Sequence, residues 1–548
     1  MTIRNPILPG FNPDPSIVRI GGDYYIATST FEWFPGVQIH HSRDLVHWRL
    51  LGRPLNRASQ LNMLGDPDSC GIWAPCLTYA DGLFWLIYTD VKRYGRTTQG
   101  GAAGASLRDT HNYLVTSPAI DGPWSDPVYL NSSGFDPSLF HDDDGRKYIV
   151  NMQWDHRPGQ NRFSGIVIQG YSAEERKLAG PTQLIFKGTA IGFTEGPHLY
   201  RRGGYYYLLT AEGGTGWGHA VTMARSRELL GPYEMHPDTY IVTARHRPDV
   251  ELQRAGHADL VETEDGQTYL VHLCGRPIPN RGRCTLGRET AIQKMNWGGD
   301  GWLRTADGEG VPRLLVDAPE LPEHRFPARP KREEFDDPAL PIDFQWLRSP
   351  WPEELFSLRE RPGWLRLYGR ETIGSMFRQA LVARRQQAHC FSASTLLEFE
   401  PERFQQMAGL VCYYNSAKFH YLYVSHDDAI GRHIRAMSCL PDQVVSDVFS
   451  PPIPIPRGTI ELRVEVDYER LYFAYRLGEG EWMRLPGPLD ASILSDEAAA
   501  PGTPNFTGAF VGVCCQDLAG TLRPADFDWF EYRERGYLAN PWERRFTV

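Results

Sequence analysis

A chain of 548 residues exceeds one ordinary hydrophobic core and predicts about two to four domains. Its 41% hydrophobic and 23% charged composition excludes a disordered chain, and a net charge of -10 without any run of Lys or Arg excludes a nucleic-acid surface. No apolar stretch approaches the ~20 residues of a membrane helix, and the proline-dotted start (Pro6, Pro9, Pro13, Pro15) lacks the apolar core of a secretory signal.

The first half repeats one short pattern five times. The copies are GGDYYIATST, DGLFWLIYTD, DGRKYIVNMQ, GGYYYLLTAE and DGQTYLVHLC, each a glycine turn followed by an aromatic and β-branched run. That pattern reads as the second strand of a β-hairpin. The turn glycines, Gly22, Gly82, Gly145, Gly204 and Gly266, recur about every sixty residues. Several short strands per repeat predict propeller blades, and five copies predict five blades.

A further strand precedes each turn, and its opening residue lies eight or nine positions before the glycine. In chain order these residues are Asp14, the Trp73–Ala74 pair, Asp136, Glu195 and His257. Equivalent strand ends converge on a propeller axis, so three carboxylates, a Trp–Ala pair and a histidine are expected to face one pocket. Three acids in one pocket cannot all ionise freely, so at least one is pushed toward the proton-donor range. A second, ionised carboxylate then serves as a base on water, which is glycosidase chemistry. Taken singly, an Asp in a DPS stretch caps a turn, a lone His is an ordinary hydrogen-bonding residue, and Trp73 and Trp154 are core. The common phase of the acids on the repeat favours a site. HDDDG at 141–145 lacks the spacing of a calcium loop and reads as a hairpin turn. Asp14 stands between Pro13 and Pro15, and Pro15 biases it toward an extended backbone.

Eight prolines between residues 317 and 352 read as an extended linker strapped to a surface. Beyond it the pattern is strand-like without the sixty-residue repeat, and TIELRVEV alternates as a half-buried strand does. The expected organisation is all-β: a five-bladed β-propeller over 1–320, then the linker and an antiparallel β-sandwich over 321–548. Nine cysteines, an odd number without any CxxC pair, argue against a disulfide framework or a zinc site and for a reducing, cytoplasmic setting.

The stretches FNPDPSIV, GIWAPCL, GFDPSLF, TEGPHLY, GHADLVET and NFTGAF, in that order, resemble glycoside hydrolase family 43, and within it the two-domain β-xylosidases. The resemblance implies inverting, exo-acting release of xylose from short β-1,4-xylooligosaccharides, with α-L-arabinofuranosidase or dual activity as the alternative. Carried over by motif, Asp14 resembles the general base, Glu195 the general acid and Asp136 the residue that sets the acid's pKa. Phe31, Trp73 and Trp154 resemble the aromatic walls of the terminal-sugar subsite, and Arg288 the arginine on the sugar hydroxyls. Phe506 matches a loop that the second domain lends to the pocket rim. His257 resembles a central histidine that in some members holds Ca²⁺ through water, while no cofactor is required. The resemblance also implies a homo-oligomer, dimer or tetramer, with no nucleic-acid or membrane partner.

Overall fold

The computed structural model describes residues 1–94, 107–279, 281–440, 447–499 and 505–535. Apart from two 3-10 turns, Pro352–Glu354 and Ala491–Ile493, the regular structure among these residues is all strand. The five repeats form five antiparallel sheets of four strands in chain order, the first passing over the short strand Trp33–Phe34. Their first strands are β1 (Ser16–Ile20), β2 (Gly71–Ala80), β3 (Ser138–His141), β4 (Glu195–Arg202) and β5 (Gln253–Glu262). Each touches the next, and β5 touches β1, so the ring closes as a five-bladed propeller.

The local chemistry matches this geometry. Ala80 pairs with Leu83 across Asp81 and Gly82, whose φ values of 55° and 74° fit the two left-handed positions of a tight hairpin turn. In the first blade Gly21, at φ 57°, takes the left-handed position next to Gly22. Apolar side chains fill the spaces between neighbouring blades. Ile17, Tyr24 and Ile26 of blade one pack on Tyr269, Val271 and Ile292 of blade five. The N-terminal segment stitches that seam: Thr2–Arg4 pairs with Leu315–Asp317, and Leu8 bridges Thr290.

The second half is a sandwich of two antiparallel sheets. Ile460–Asp467 alternates buried and half-buried positions, as its sequence predicts. The proline-rich segment is more than a strap. Arg332–Glu333 pairs with Pro524–Glu534, and Phe344–Leu347 pairs with Ala380–Arg385, so this segment contributes to both sandwich sheets. The prolines leave these pairings intact because they fall between them. Phe344–Leu347 also pairs with Trp33–Phe34 from the first blade's segment, so a propeller strand edges a sandwich sheet. One apolar core accordingly runs through both halves, with Phe34, Leu77 and Phe84 packed in the same cluster as Trp346 and Phe399. All nine cysteines are buried.

Candidate active site

The axis ends of the first strands are irregular, and the irregularities carry the site. Asp14, Asp136 and His257 have φ values of 55°, 54° and 44°. Pairing slips at Glu195–His198, at Gly256–Ala258 and at Trp73–Cys76. Bulges of this kind re-aim side chains at a sheet end. Asp14 is therefore left-handed, which corrects the extended backbone expected from Pro15. Tertiary hydrogen bonds override the local preference: Ser29 N–H donates to the Pro13 carbonyl at 3.1 Å, and Ser29 Oγ donates to Asp14 Oδ2 at 2.6 Å. Asp is one of the few residues that tolerate this region.

Asp14, Asp136, Glu195 and His257 line one cavity of about 520 Å³, each less than a tenth exposed. Arg288 Nη1 donates to Asp14 Oδ1 at 2.7 Å. The Gly196 N–H donates to Asp136 Oδ2 at 3.2 Å. His257 Nδ1 lies 3.9 Å from Asp14 Oδ1 and 3.8 Å from Asp136 Oδ2, between the two carboxylates. Its ring sits against Gly196, where a Cβ would approach within 3.0 Å. Burial holds His257 neutral, with its pKa lowered to about 4. Burial, reinforced by the charge of Asp14, pushes Glu195 up to about 8. Asp136 is raised as well, by burial and then by the charges of Glu195 and Asp14. One guanidinium facing three acids leaves the cluster holding a proton at neutral pH, as a working acid requires.

The walls are aromatic. Phe31 and Trp73 lie 5.5 Å apart, and Phe506 closes on both, 6.4 Å from Phe31 and 5.5 Å from Trp73. Trp154 lines the cavity further out. Phe506 comes from the second half of the chain, and Arg288 Nη2 holds its carbonyl at 3.0 Å. The two loops meet so closely that a Cβ on Gly287 would lie 2.5 Å from the Thr507 carbonyl oxygen. Ala74 does not line the cavity, although it shares the phase of the axis residues. It is buried beside Trp73, where the slip between Trp73 and Cys76 sends the indole to the pocket instead.

Sequence reasoning missed Tyr94, Arg108, Phe135, Phe163 and Phe193, all of which line the cavity. Tyr94 packs 4.7 Å from Trp73, and the Arg108 guanidinium stacks 3.6 Å over the Tyr94 ring and 4.4 Å over Trp154. The available signal was an aromatic one residue beyond the strand Leu83–Arg93, at its axis end.

Comparison with known proteins agrees with this geometry. Residues 3–303 match the profile of Glycosyl hydrolases family 43, and residues 332–533 match a Beta xylosidase C-terminal Concanavalin A-like domain. A Humicola insolens protein named Xylosidase/arabinosidase 43B is 54% identical over 97% of each chain. A Bacillus subtilis Beta-xylosidase is 52% identical over 98% of this chain and 100% of its own. The crystal structure of a xylan beta-1,4-xylosidase from Bacillus halodurans superposes with a TM-score of 0.93 at 52% identity, covering 97% of this chain and 100% of that one. This chain is a member of glycoside hydrolase family 43, with the two-domain build of its β-xylosidases.

Proposed function

We propose that the protein is an inverting, exo-acting β-xylosidase that releases D-xylose from the non-reducing end of short β-1,4-xylooligosaccharides. The observation that carries this reading is the cluster of three buried carboxylates with one paired arginine, at the base of a pocket roofed by Phe506. Glu195 holds its proton up to a pH of about 8 and gives it to the glycosidic oxygen as the bond to the anomeric carbon breaks. Asp14, fixed by Ser29 and Arg288, takes a proton from water, whose oxygen forms the new bond to that carbon. One displacement inverts the anomeric centre, with no covalent intermediate. Asp136 adjusts the charge beside Glu195. Phe31, Trp73, Trp154 and Phe506 supply flat apolar faces for a pentose ring, and Arg288 keeps Nε without a protein partner. Among the described residues no three His, Cys, Asp or Glu side chains form a metal cage. A Ca²⁺ at the axis would therefore be held through water beside His257, adding positive charge there.

The similarity to proteins named as β-xylosidases supports the substrate class. A second reading, α-L-arabinofuranosidase or both activities in one site, is favoured by the Humicola relative's name and by a 33% identical Bacteroides ovatus protein named Non-reducing end alpha-L-arabinofuranosidase BoGH43B. A Vibrio relative, 46% identical, is named Xylan 1,3-beta-xylosidase, so linkage is part of the test. Rates on aryl β-xyloside, aryl α-arabinofuranoside, and β-1,4- and β-1,3-linked xylobiose order these readings. A faster arabinofuranoside or 1,3-linked substrate overturns the first. NMR of the first-formed anomer must show inversion. A cytoplasmic location is supported by the nine buried thiols, and no described helix is long and apolar enough to cross a membrane. A dimer or tetramer is the proposed assembly, to be read by light scattering.

A further inference from the structure

A second cleft, of about 680 Å³, shares no lining residue with the catalytic cavity. It lies between the first blade, the proline-rich segment and the sandwich. Six cationic side chains line it, Arg49, Arg53, Arg329, Lys331, Arg384 and Arg385, against two carboxylates, Asp343 and Glu534. The two deepest guanidinium groups face neutral partners. Arg53 donates to Gln38 Oε1 at 3.0 Å and to the Ile342 carbonyl at 2.7 Å, and Arg385 donates to the Phe11 carbonyl and Gln345 Oε1 at 2.5 Å. Asp343 is engaged by Arg329 at 3.5 Å. Arg385 is 6% exposed. Its Nη2 has no protein partner, nor has Arg384 Nε or His40 Nδ1.

Asp343 offsets part of the charge on Arg53 and Arg385, but one carboxylate among several buried cations leaves a costly excess of positive charge. The titration of these groups reflects that. Burial lowers Arg53 to about 9, with Asp343 opposing the shift and Arg329 adding to it. Burial, then Arg385, Arg53 and Arg329, lowers His40 to about 3. Arg385 is lowered by burial and by Arg53, against the opposing charge of Asp343. Guanidinium forks suit oxyanions because they donate two parallel hydrogen bonds.

We propose that this interdomain cleft binds a phosphate group, free or carried as a monoester on a small metabolite. Arg53, Arg329 and Arg384 are its contact residues, and Arg385 and His40 supply the positive and unpartnered polar groups behind them. Trp48, Phe326 and Tyr532 line the same cleft and give an ester's organic part an aromatic wall. The site is also wired to the catalytic segment. Gln38, which accepts from Arg53, donates Nε2 to Asn12 Oδ1 at 2.8 Å, and Asn12 N–H donates to the Arg288 carbonyl at 2.9 Å.

The test is calorimetric titration of the full chain with inorganic phosphate and, separately, a pentose 5-phosphate, with chloride balancing ionic strength. Saturable binding of either is expected, weakened at least tenfold in Arg329→Gln/Arg384→Gln and to a lesser degree in Arg329→Gln alone, whose side chain is exposed. Tighter binding of the ester assigns a carried phosphate, and equal binding a free one. The proposal is overturned if neither probe binds saturably, if both variants bind like the parent, or if saturating xylose displaces the phosphate, which would place it in the catalytic cavity.

Discussion

Arg288 ties Asp14 to the second half of the chain: one guanidinium nitrogen donates to Asp14 Oδ1 at 2.7 Å and another holds the Phe506 carbonyl at 3.0 Å. The guanidinium paired with the base is thus the group that holds the rim. Removing one partner of a buried ion pair costs about 3–5 kcal/mol. Arg288→Met should lower kcat/KM by at least about 10²-fold, since 1.4 kcal/mol is tenfold. The Arg288 charge also lowers the Glu195 carboxyl, so without it the basic limb of the kcat/KM profile should move to higher pH. An unmoved basic limb in a pH series contradicts the placement of Arg288 beside the acid cluster.

Glu195 must act protonated, and its pKa is raised to about 8 by burial and by Asp14. Activity should therefore fall as pH rises through about 8. The stability sign follows from the same shift. The unfolded carboxyl titrates at 4.5 while the folded one keeps its proton. Stability from this group is full below pH 4.5 and is lost as pH rises toward 8. Glu195→Gln should consequently raise Tm at pH 7 relative to the parent, with the difference vanishing below pH 4.5. The same variant should lose roughly 10²–10⁴-fold in kcat on xylobiose and much less on an aryl xyloside whose leaving group needs no proton. Equal losses on both substrates would remove Glu195 from the acid role.

Asp14, Asp136 and Glu195 were legible because repeat phase encodes position around an axis. Phase does not encode what a bulge does to side-chain direction. Ala74 has the right phase and Trp73 takes the pocket. Tyr94 and Phe163 reach the cavity from later strands of their blades, whose ends no repeated motif marks. The backbone of Asp14 shows the limit of a nearest-neighbour rule, since Ser29 and Arg288, fifteen and 274 residues away, decide its conformation. The pairing of Trp33–Phe34 with Phe344–Leu347 is equally non-local, and hydrophobic pattern alone names no partner for either strand.

Ser69 joins the aromatic roof to its wall. Its Oγ accepts from the Phe506 N–H at 3.1 Å, and its carbonyl accepts from Trp73 Nε1 at 3.0 Å. It holds φ 63°, and Glu32 Oε2 accepts its N–H at 3.2 Å. Ser69→Ala removes only the bond to Phe506, worth about 0.5–1.5 kcal/mol. KM for xylobiose should rise roughly 2–10-fold with kcat largely kept. Ser69→Thr should not restore the loss, because a β-branched residue is strained at φ 63° and the site is fully buried. A fall in kcat at constant KM would mean that the roof acts on the chemical step instead of on binding.

Arg254 anchors the rim from below. Its side chain is 5% exposed and donates to Asp496 Oδ2 and Glu497 Oε1, both at 2.9 Å, across the junction between propeller and sandwich. Tyr414 donates its hydroxyl to Asp496 Oδ1 at 2.5 Å and accepts from the Thr507 N–H at 3.2 Å, next to Phe506. Arg254→Met strips the counterion from a buried Asp496, whose carboxyl burial already raises. The expected cost is about 3–5 kcal/mol of stability, read as a lower Tm and a lower urea midpoint. Asp496 would then gain a proton more readily, so the variant's deficit in Tm should shrink as pH falls and the lost ion pair matters less. Because the chain of bonds ends at Phe506, KM for xylobiose should rise in the same variant. A destabilised variant with unchanged KM would show that the Asp496–Tyr414–Thr507 chain supports the junction without setting the rim.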